Sequence, residues 1–525
     1  MNRLSRRDGL LILIGASCLY TFSAIVDYAV PRSFPAVHLG DPPLHPVGTT
    51  PHVLDLGLQR YPPETSLIAH APGWTLFRHL YMSNGTFFIL SSDSQSFPEI
   101  RMMISTSLPA ENTPENIAQR EPTSQEMQFI TQDEAQRRWG GNITHGERNR
   151  ILTVQGNTFL VNEPKQFLDH YYHFVAELLF GARAFLYGAF NPSSTAFVPS
   201  PFHVDQSLPS FNMRPSEYEP PSFTRLMLLH ASSDEWRDKP GFNAYFLRAV
   251  FPSLALEASE DWADRVASTV PTPDGTSTKA WHFPIALLAD RSAAHRGEAC
   301  GSRTQRIAAE PWELMLRLGG IDSVGHWWSH VRESITRFAT GKVSPKERIT
   351  DDSSGKPPQL PLPETVVITY INRQGVRRHL DEANHEALVV ALQDMVNRKR
   401  DEEGKFWELS IVQAETITKD EQINIASRST IMLGVHGNGL THLVFMQPSR
   451  LSAVIEIFYP GGFSRDYEWT TRALGMRHFS VWNDTYFTHP NEPPLGYPEG
   501  FQGTSIPVHG PAVAKLIEDW LDGRL

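Results

Sequence analysis

Cysteine and positive charge are both scarce in this sequence. Cys18 and Cys300 are its two cysteines, and Cys18 lies in an apolar run near the N-terminus, so Cys300 has no partner in the remainder of the chain. Counting alone therefore excludes a disulfide scaffold and a zinc site built from cysteines. The 47 Lys and Arg residues are outnumbered by 58 Asp and Glu, which gives a formal net charge of −11. We expect no nucleic-acid partner, because non-specific binding of that kind requires a basic surface.

The sequence also lacks an Asp-x-Asp pair. Adjacent carboxylates of this kind commonly hold the metal ion that neutralises a nucleotide diphosphate, so their absence favours neutralisation by arginines and backbone amides. We therefore expect that no cofactor is required and that no residue serves as a metal ligand. A divalent cation stays open as an alternative, since Asp351-Asp352 and Asp466-Tyr467-Glu468 still place carboxylates close together in sequence.

One long apolar run is present, from Gly9 to Val26, and it follows three arginines within the first eight residues. A run of this length can just span the hydrocarbon core of a bilayer, which is about 30 Å thick. The arginines should stay on the cytosolic side, which places the rest of the chain on the other side. The run thus predicts a cytosolic tail over residues 1–8 and a transmembrane anchor over residues 9–27. A cleaved signal peptide is the alternative, although the apolar part of such peptides is usually about 7–15 residues long.

Three tripeptides match the acceptor signature for N-glycosylation, and they begin at Asn84, Asn142 and Asn483. Each tripeptide is short enough to occur by chance, so the three support a luminal location only weakly. A membrane anchor followed by a large soluble domain is also the layout of Golgi and ER enzymes. We therefore expect a single-pass type II protein of the Golgi or ER membrane, with its large domain in the lumen.

Composition divides the rest of the chain. Prolines recur between Pro31 and Pro63, where they exclude helices, and a second segment rich in Pro, Gly and Ser has the character of a linker. The predicted organisation is a stem over 28–73, an N-terminal lobe over 74–340, a linker over 341–364, a C-terminal lobe over 365–490 and a C-terminal tail with a terminal helix over 491–525.

Both lobes have the pattern of an α/β fold. In the N-terminal lobe, Tyr81 to Leu90 is typical of a hairpin that turns at Asn-Gly, and Phe167 to Tyr187 is typical of a helix. In the C-terminal lobe, apolar strands alternate with helices, which predicts a parallel sheet of Rossmann type. The predicted strands of that lobe are Thr365–Ile371, Trp407–Val412, Ser429–Val435 and Ala453–Phe458. Two such lobes would enclose a cleft, where a ligand site is expected.

Two arginines of the C-terminal lobe are candidates for anion binding. Arg373 and Arg378 follow the first predicted strand of the lobe at its carboxyl end, the edge at which open α/β sheets bind ligands. Their planar guanidinium groups can donate two hydrogen bonds each to a diphosphate. A solvated basic loop is the structural alternative.

A glycine-containing loop follows the predicted strand that ends at Val435. Its glycines allow a ligand to approach the backbone, and the helix after it offers free amides suited to phosphate. A tight turn is the structural alternative, and the dinucleotide fingerprint Gly-x-Gly-x-x-Gly is not satisfied. The candidate residues of this loop are His436, Gly437, Asn438, Gly439 and Leu440.

Two carboxylates of the same lobe complete this set. Glu456 lies within an apolar strand, where a carboxylate needs a partner, so it either faces the cleft or pairs with an arginine. Glu421 follows Thr418 at a predicted helix start; a helix-end charge is the favoured interpretation, and donor binding is kept as the alternative.

In the N-terminal lobe, His170, His173 and Glu177 are spaced to share one face of the predicted helix. His173 and Glu177 can form a hydrogen bond, which suits a general base and the group that orients it. Two histidines and a carboxylate are also a legitimate zinc ligand set, but the His-Glu-x-x-His motif is absent. A purely structural role for one histidine is the third alternative.

Taken in order, these motifs resemble glycosyltransferase family 61. No single motif is specific, but the ordered set is, and it covers roughly residues 75 to 485. The motifs are Leu80-Tyr81, Tyr172 to Glu177, Tyr370 to Arg373 with Arg378 behind it, Glu421-Gln422, Gly434 to Thr441 and Val454 to Ile457.

That family consists of inverting glycosyltransferases with a GT-B type fold, in which two Rossmann-like lobes face a cleft. It includes plant β-1,2-xylosyltransferase and the EGF-domain O-linked N-acetylglucosaminyltransferase. The resemblance implies a UDP-sugar donor in the C-terminal lobe and an acceptor that enters from the N-terminal lobe. It implies transfer of a sugar, with xylose and N-acetylglucosamine as first candidates, to a glycan, polysaccharide or glycoprotein. Glu177 is then the expected base and His173 the residue that positions it, or the two exchange these roles. Arg373, Arg378, His436 and the amides of residues 437–440 would stabilise the departing diphosphate.

Two other functions stay open at this point. A protein of the same fold that binds carbohydrate without catalysis would bind a nucleotide sugar unproductively or not at all. A luminal metal-dependent hydrolase would use His170, His173 and Glu177 as ligands and would lose activity to a chelator.

Overall fold

The computed structural model describes residues 55–190, 202–204, 220–272, 278–319, 327–342, 360–403, 406–503 and 505–525. The predicted cytosolic tail, the apolar run at the N-terminus and most of the predicted linker lie outside these residues. The chain from Asp55 to Leu525 forms a single compact unit. Within the described residues, no helix combines the length and the apolar character that crossing a membrane demands.

The first sheet has ten strands and mixes parallel with antiparallel pairs. Its main path runs β4-β3-β2-β10-β6-β8-β9. Strand β10 pairs antiparallel with β2 and parallel with β6. The strands are β1 (Ser66–Ala71), β2 (Trp74–Ser83), β3 (Thr86–Leu90), β4 (Met127–Ile130), β5 (Ile151–Thr153), β6 (Asn157–Pro164), β7 (His203–Val204), β8 (Arg225–His230), β9 (Ala255–Glu257) and β10 (Ala280–Ala289). The expected Rossmann-like first lobe is therefore an α/β lobe with a mixed sheet.

A two-residue turn explains the antiparallel pairing of β2 with β3. Ser83 pairs with Thr86, so Asn84 and Gly85 alone reverse the chain between β2 and β3. Both turn residues have positive φ, 51° and 83°, as a tight hairpin turn requires. The predicted hairpin is confirmed. Parallel strands would need a much longer crossover connection.

The folded lobe begins earlier than the sequence predicts. Strand β1 lies inside the segment assigned to the stem, and its last five residues are buried. It pairs antiparallel with β2. Sequence reasoning missed this short apolar strand because the proline-rich segment extends to Pro63, just before the strand begins.

The second sheet is parallel apart from its edge. Its strand order is β12-β11-β13-β14-β15-β16, and only the last pair is antiparallel. The strands are β11 (Thr365–Asn372), β12 (Phe406–Gln413), β13 (Ile431–Val435), β14 (Ala453–Phe458), β15 (Arg477–Trp482) and β16 (Thr485–Phe487). The predicted parallel sheet of the C-terminal lobe is confirmed.

Helices cover these sheets. The α-helices are α1 (Ile100–Met103), α2 (Pro114–Gln119), α3 (Gln132–Trp139), α4 (Lys165–Leu168), α5 (Phe180–Ala189), α6 (Phe242–Val250), α7 (Ser259–Ala267), α8 (Arg291–Ala294), α9 (Ala309–Gly319), α10 (Ser329–Thr340), α11 (Glu382–Glu403), α12 (Lys419–Arg428), α13 (Asp466–Ala473) and α14 (Gly510–Leu521). 3₁₀ segments join some of them, and one of these covers Asn438–Phe445 directly after β13.

The predicted helix from Phe167 to Tyr187 is broken. The short helix α4 ends at Leu168, and the chain resumes as a π-helical segment over Tyr172–Leu179 before it continues as α5. A second π-helical segment covers Ala299–Thr304. Such wide turns are rare and are concentrated at functional sites.

The two sheets share one hydrophobic core. Phe180 of the first lobe contacts Trp469 of the second, with ring centroids 5.9 Å apart. Trp328 is buried, and its indole N–H donates to the carbonyl of Val444 at 2.9 Å. One core cluster contains residues of both lobes. The lobes are thus fused behind the predicted cleft and are not separate bodies.

The predicted C-terminal tail belongs to the second lobe. Ile506 and Val508 form isolated bridges with Leu380 and Asn483, respectively. Val513 and Ile517 of α14 are buried in the core of the second sheet. The helix at the end of the chain therefore completes this lobe.

Five buried histidines make stability depend on pH. Burial lowers the pKa of His70, His282, His436 and His478 to about 3 and that of His442 to about 4. The unfolded chain takes up these protons near pH 6.5, whereas the folded chain does not. Stability is therefore present above pH 6.5 and is lost as the pH falls, by about 1.4 kcal/mol per pH unit for each group.

We expect the urea midpoint of unfolding to fall steeply between pH 7.5 and pH 5. His442 packs against Tyr171, Phe242 and Phe445, so His442→Phe should weaken that pH dependence while keeping the ring contacts. His145 is exposed, and His145→Gln serves as the control that leaves the slope unchanged. Equal slopes in all three proteins would contradict the assignment.

Candidate functional site

Two loops of the second sheet meet at its carboxyl edge. Strands β11 and β13 are adjacent and parallel, so Arg373 and His436 follow them at the same edge. Gly437 has φ 150°, and a Cβ placed on it would lie 2.7 Å from Nη1 of Arg373. The glycine therefore lets the guanidinium lie directly against the loop backbone. The sequence predicted both loops, and the structure brings them into contact.

Arg373 and Arg378 are half-buried cations without a carboxylate partner among the described residues. Nε of Arg373 donates to the carbonyl of Arg378 at 3.3 Å. Burial lowers the pKa of both guanidinium groups. Because the chain carries a net charge of −11, two unmatched arginines side by side indicate a site for an anion.

Glu456 holds two histidines behind this edge. Its carboxyl group is fully buried, one oxygen contacts Nδ1 of His436, and the other lies 2.9 Å from Nε2 of His478. Burial and the charge of Asp466 raise the pKa of Glu456 well above its ordinary value. Burial lowers the pKa of His436 to about 3, and the nearby arginines act in the same direction.

The raised pKa of Glu456 favours its protonated form as the donor to Nδ1 of His436. In that arrangement His436 carries its own proton on Nε2. That N–H can donate to an anion held by Arg373 and Arg378. Glu456 is fully buried and pairs with two histidines. Neither of the two predicted roles, facing the cleft or pairing with an arginine, describes it fully.

Three residues of the glycine-containing loop serve packing. Oδ1 of Asn438 accepts the backbone N–H of Tyr172 at 3.3 Å, which links the lobes. A Cβ on Gly439 would lie 2.9 Å from Cγ2 of Ile371, and Leu440 is buried. The side chains of Asn438 and Leu440 therefore hold the loop in place, and Gly439 lets its backbone pack close to Ile371.

Glu421 caps a helix. Its carboxylate accepts the backbone N–H and the hydroxyl of Thr418, both at 2.8 Å, and the Thr418 hydroxyl accepts the N–H of Glu421. This capping box begins α12, and Glu421 is exposed. The favoured helix-end interpretation accounts for this geometry.

The first lobe contributes a histidine held by a buried carboxylate. Nδ1 of His173 lies 2.6 Å from Oε2 of Glu177, which has no exposed side-chain surface. Nη1 of Arg291 lies 2.8 Å from the same oxygen, and Nη1 of Arg306 lies 3.6 Å from Oε1. Burial by itself would raise the pKa of Glu177, but the charges of Arg291, His173 and Arg306 hold it well below its ordinary value.

The same arginines extend this arrangement to the second lobe. Nε of Arg291 lies 2.9 Å from Glu163, and Arg306 forms an ion pair with Asp466 at the start of α13. Asp466 also accepts the hydroxyl of Ser464 at 2.6 Å. We call this row of charges, Glu163-Arg291-Glu177-Arg306-Asp466, the ion chain.

The ion chain decides which member of the His173–Glu177 pair can accept a proton. Glu177 is enclosed by cations and is a weak base. The side chain of His173 is 22% exposed. Because its Nδ1 is engaged by Glu177, Nε2 is the nitrogen available to a substrate. His170 lies beside it, with ring centroids 4.8 Å apart. Part of its surface is exposed, but the atoms packed around its ring desolvate it, and desolvation together with His173 lowers its pKa to about 4. The geometry favours the second predicted arrangement, with Glu177 as the orienting group.

The predicted metal alternatives fit this geometry poorly. Glu177 is engaged by His173 and Arg291, so it does not face a zinc ligand position. Asp466 points to Arg306, whereas Glu468 pairs with Arg472. Within the described residues, Glu468 does form a set of three potential ligands with His489 and Glu492, so one carboxylate of the predicted Asp466-Tyr467-Glu468 alternative stays open as a metal ligand. Asp351 and Asp352 lie outside the described residues.

Sequence reasoning missed Arg291, Arg306 and the pairing role of Asp466. One signal was present: β6 and β10 are parallel, and Glu163 and Arg291 lie at their carboxyl ends. The strand-end rule that identified Arg373 would have identified these two residues as well. Arg306 follows a π-helical turn and Gln305 at φ 58°, a geometry with no sequence signature.

The three predicted glycosylation acceptors lie at the surface. Asn84, Asn142 and Asn483 are exposed, as a modified asparagine must be. Whether they carry glycans stays a prediction.

Arg306→Met should destabilise the protein by about 3–5 kcal/mol, because it leaves buried carboxylates without their shared cation. Arg303 lies three residues earlier with 47% of its side chain exposed, and Arg303→Met should change stability by less than about 1 kcal/mol. Urea unfolding followed by tryptophan fluorescence measures both. Similar losses of stability in the two variants would show that Arg306 in the ion chain contributes no more than an exposed arginine does.

Comparison with known proteins agrees with the ordered motifs. The family model for glycosyltransferase 61 matches residues 171–455, which is more than half of the chain and contains His173, Arg373 and His436. No curated protein matches the sequence. The match runs from the π-helical segment of the first lobe to the carboxyl edge of the second sheet and contains the His173–Glu177 pair, Arg373, Arg378 and His436, whereas Glu456 and Asp466 lie just beyond it. The chain belongs to the glycosyltransferase 61 family.

Proposed function

We propose that this glycosyltransferase moves a sugar from a UDP-sugar to a glycan, polysaccharide or glycoprotein acceptor with inversion. Xylose and N-acetylglucosamine are the first donor sugars to test. One observation carries the proposal: a pair of arginines without a carboxylate partner among the described residues lies beside His436 at the carboxyl edge of the second sheet, and the same loop reaches the first lobe where Asn438 accepts the backbone N–H of Tyr172, the neighbour of His173. A GT-B type arrangement of two lobes is part of the proposal.

The donor half rests on charge. A diphosphate would supply the counter-charge that Arg373 and Arg378 lack, and planar guanidinium groups match its oxygens. His436 would donate its Nε2 proton to the same group. Because the donors are preorganised, they would stabilise the negative charge that develops as UDP departs. This arrangement requires no metal, and a divalent cation near the diphosphate stays a second possibility.

The acceptor half rests on the His173–Glu177 pair. His173 would take the proton of an acceptor hydroxyl through Nε2 while that oxygen attacks the anomeric carbon in line with the leaving diphosphate. Glu177 would hold the ring and stabilise the imidazolium that forms. A single displacement of this kind inverts the anomeric configuration.

The cellular setting is proposed from the sequence. The apolar run over 9–27 would anchor the chain as a single-pass type II protein of the Golgi or ER membrane, with the transferase domain in the lumen. Three exposed glycosylation acceptors are consistent with that orientation.

Incubation of the full chain with a panel of nucleotide sugars tests the donor half. We expect release of UDP from one UDP-sugar, with and without a chelator. Arg373→Gln should raise the donor KM by about tenfold or more, since it removes charge-assisted hydrogen bonds.

Arg377 supplies the matched control for that variant. It lies in the same loop, is exposed and bonds to Gln502 at 2.6 Å, so Arg377→Gln makes the same charge change outside the proposed diphosphate site. Its donor KM should stay near that of the parent protein. No UDP release from any donor, together with no binding of UDP by calorimetry, would favour the non-catalytic alternative.

Turnover in histidine variants tests the base. His173→Asn should lower kcat by about 10²–10⁴-fold with little change in donor KM, as expected for loss of a general base. His170→Asn, next to it, should retain most turnover. Glu177→Gln should lower kcat less than His173→Asn does.

The opposite order of effects would reassign the roles. An active His173→Asn beside an inactive but folded Glu177→Gln would make Glu177 the base.

A further inference from the structure

A cavity of about 420 Å³ lies in the first lobe, away from the carboxyl edge of the second sheet. Its volume is within the range of about 300–1,000 Å³ that small-molecule sites occupy. The polar residues on its wall include Glu111, Asn112, Arg120, Ser292, His295 and Gln305.

Arg120 gives this cavity its chemical character. It is 8% exposed, and its guanidinium donates to the hydroxyl of Ser292 at 3.0 Å and to the carbonyl of Glu111 at 3.3 Å. Its Nε is buried without a hydrogen-bond partner. In the described part of the chain, Arg120 has no carboxylate within ion-pair distance. A buried cation that lacks a counter-charge is costly, so the cavity is suited to supply one through a bound anion.

A second arginine reinforces the positive wall. Arg296 also lines the cavity, and its Nη2 donates to the carbonyl of Arg120 at 3.1 Å. Glu121 balances Arg296 at 3.3 Å, whereas the carboxylate of Glu111 is exposed. The unbalanced charge of the cavity is therefore that of Arg120.

The chain places this cavity next to the proposed base. Ser292 follows Arg291, and Gln305 precedes Arg306, so two wall residues adjoin the two arginines that hold Glu177. His295 is close enough to this group for the charges of Arg291 and Glu177 to affect its pKa, which burial lowers to about 4. All wall residues belong to the first lobe, whereas the proposed diphosphate site belongs to the second.

We propose that this cavity binds an oxyanion carried by the acceptor, either the carboxylate of a uronic acid or a phosphate ester on a sugar. The proposal rests on the proposed function, because it assigns an acidic acceptor to that same reaction. Arg120 would bind the anion through its free N–H groups, with the acceptor chain extending toward His173. The acceptor class is thereby narrowed to acidic glycans.

Paired acceptors test the proposal with the full chain. Three oligosaccharides share one backbone and end in glucose, in glucuronic acid or in glucose 6-phosphate. The parent protein should show an acceptor KM about tenfold or more lower for at least one acidic acceptor than for the neutral one. Arg120→Gln should remove that preference and leave both the neutral acceptor and UDP release unchanged.

Two further variants distinguish loss of the anion site from loss of the fold. Asn112 is exposed on the wall, so the isosteric Asn112→Asp should keep the fold and repel an acidic acceptor. Arg303→Gln removes a nearby exposed charge outside the cavity and should keep the preference. Loss of preference in Arg303→Gln as well would mean general electrostatic attraction and would overturn the proposal.

The remaining outcomes separate the sources of the anion and the two proposals. If free inorganic phosphate changes turnover of the neutral acceptor through Arg120 while acidic acceptors gain nothing, the cavity is a phosphate site and the acceptor proposal is wrong. If no donor is turned over at all, calorimetry with the glucuronate oligosaccharide still decides the matter. If the parent protein binds this oligosaccharide and Arg120→Gln does not, the cavity proposal is supported even though the transferase proposal has failed. Equal binding by the two proteins would overturn the cavity proposal.

Discussion

The structure depends on one buried carboxylate held between two arginines. Glu177 has no exposed surface, and Arg291 and Arg306 supply the charge that keeps it ionised. Arg306 also pairs with Asp466 of the second lobe, so the same cations orient His173 and join the two halves of the site. Removing any member would leave a charge stranded in the interior, which is why catalysis and folding are coupled here.

The shared core also fixes the geometry of the site. Trp328 and Phe180 pack against the second lobe, and Asn438 reaches across to the backbone of Tyr172. The distance between His173 and the arginines of β11's loop is therefore set by packed side chains. Preorganised groups of this kind need no rearrangement when charge develops, which favours a rapid transfer step.

Much of the second lobe could be predicted, because parallel strands leave strong signals. The strand Ala453–Phe458 matches its predicted bounds, and the strand-end rule identified Arg373 and His436. The first lobe was harder, since its hairpin turns a Rossmann-like pattern into a mixed sheet and its π-helical segment has no sequence signature. The proposed exchange of roles between His173 and Glu177 rests on Arg291 and Arg306, which lie more than 100 residues away in the chain. Local patterns cannot show such contacts.

The fused core also bears on how members of this family can be recombined. A chimera that joined the first lobe of one relative to the second lobe of another would have to match Trp328 to the carbonyl near Val444 and Arg306 to a carboxylate at the start of α13. Mismatch at Arg306 would cost about 3–5 kcal/mol, a large share of the about 5–15 kcal/mol by which domains are stable. Grafting of loops at the carboxyl edge would leave these contacts between the two lobes intact. Natural diversification of donor and acceptor use should therefore have proceeded by loop replacement, with the two lobes inherited together.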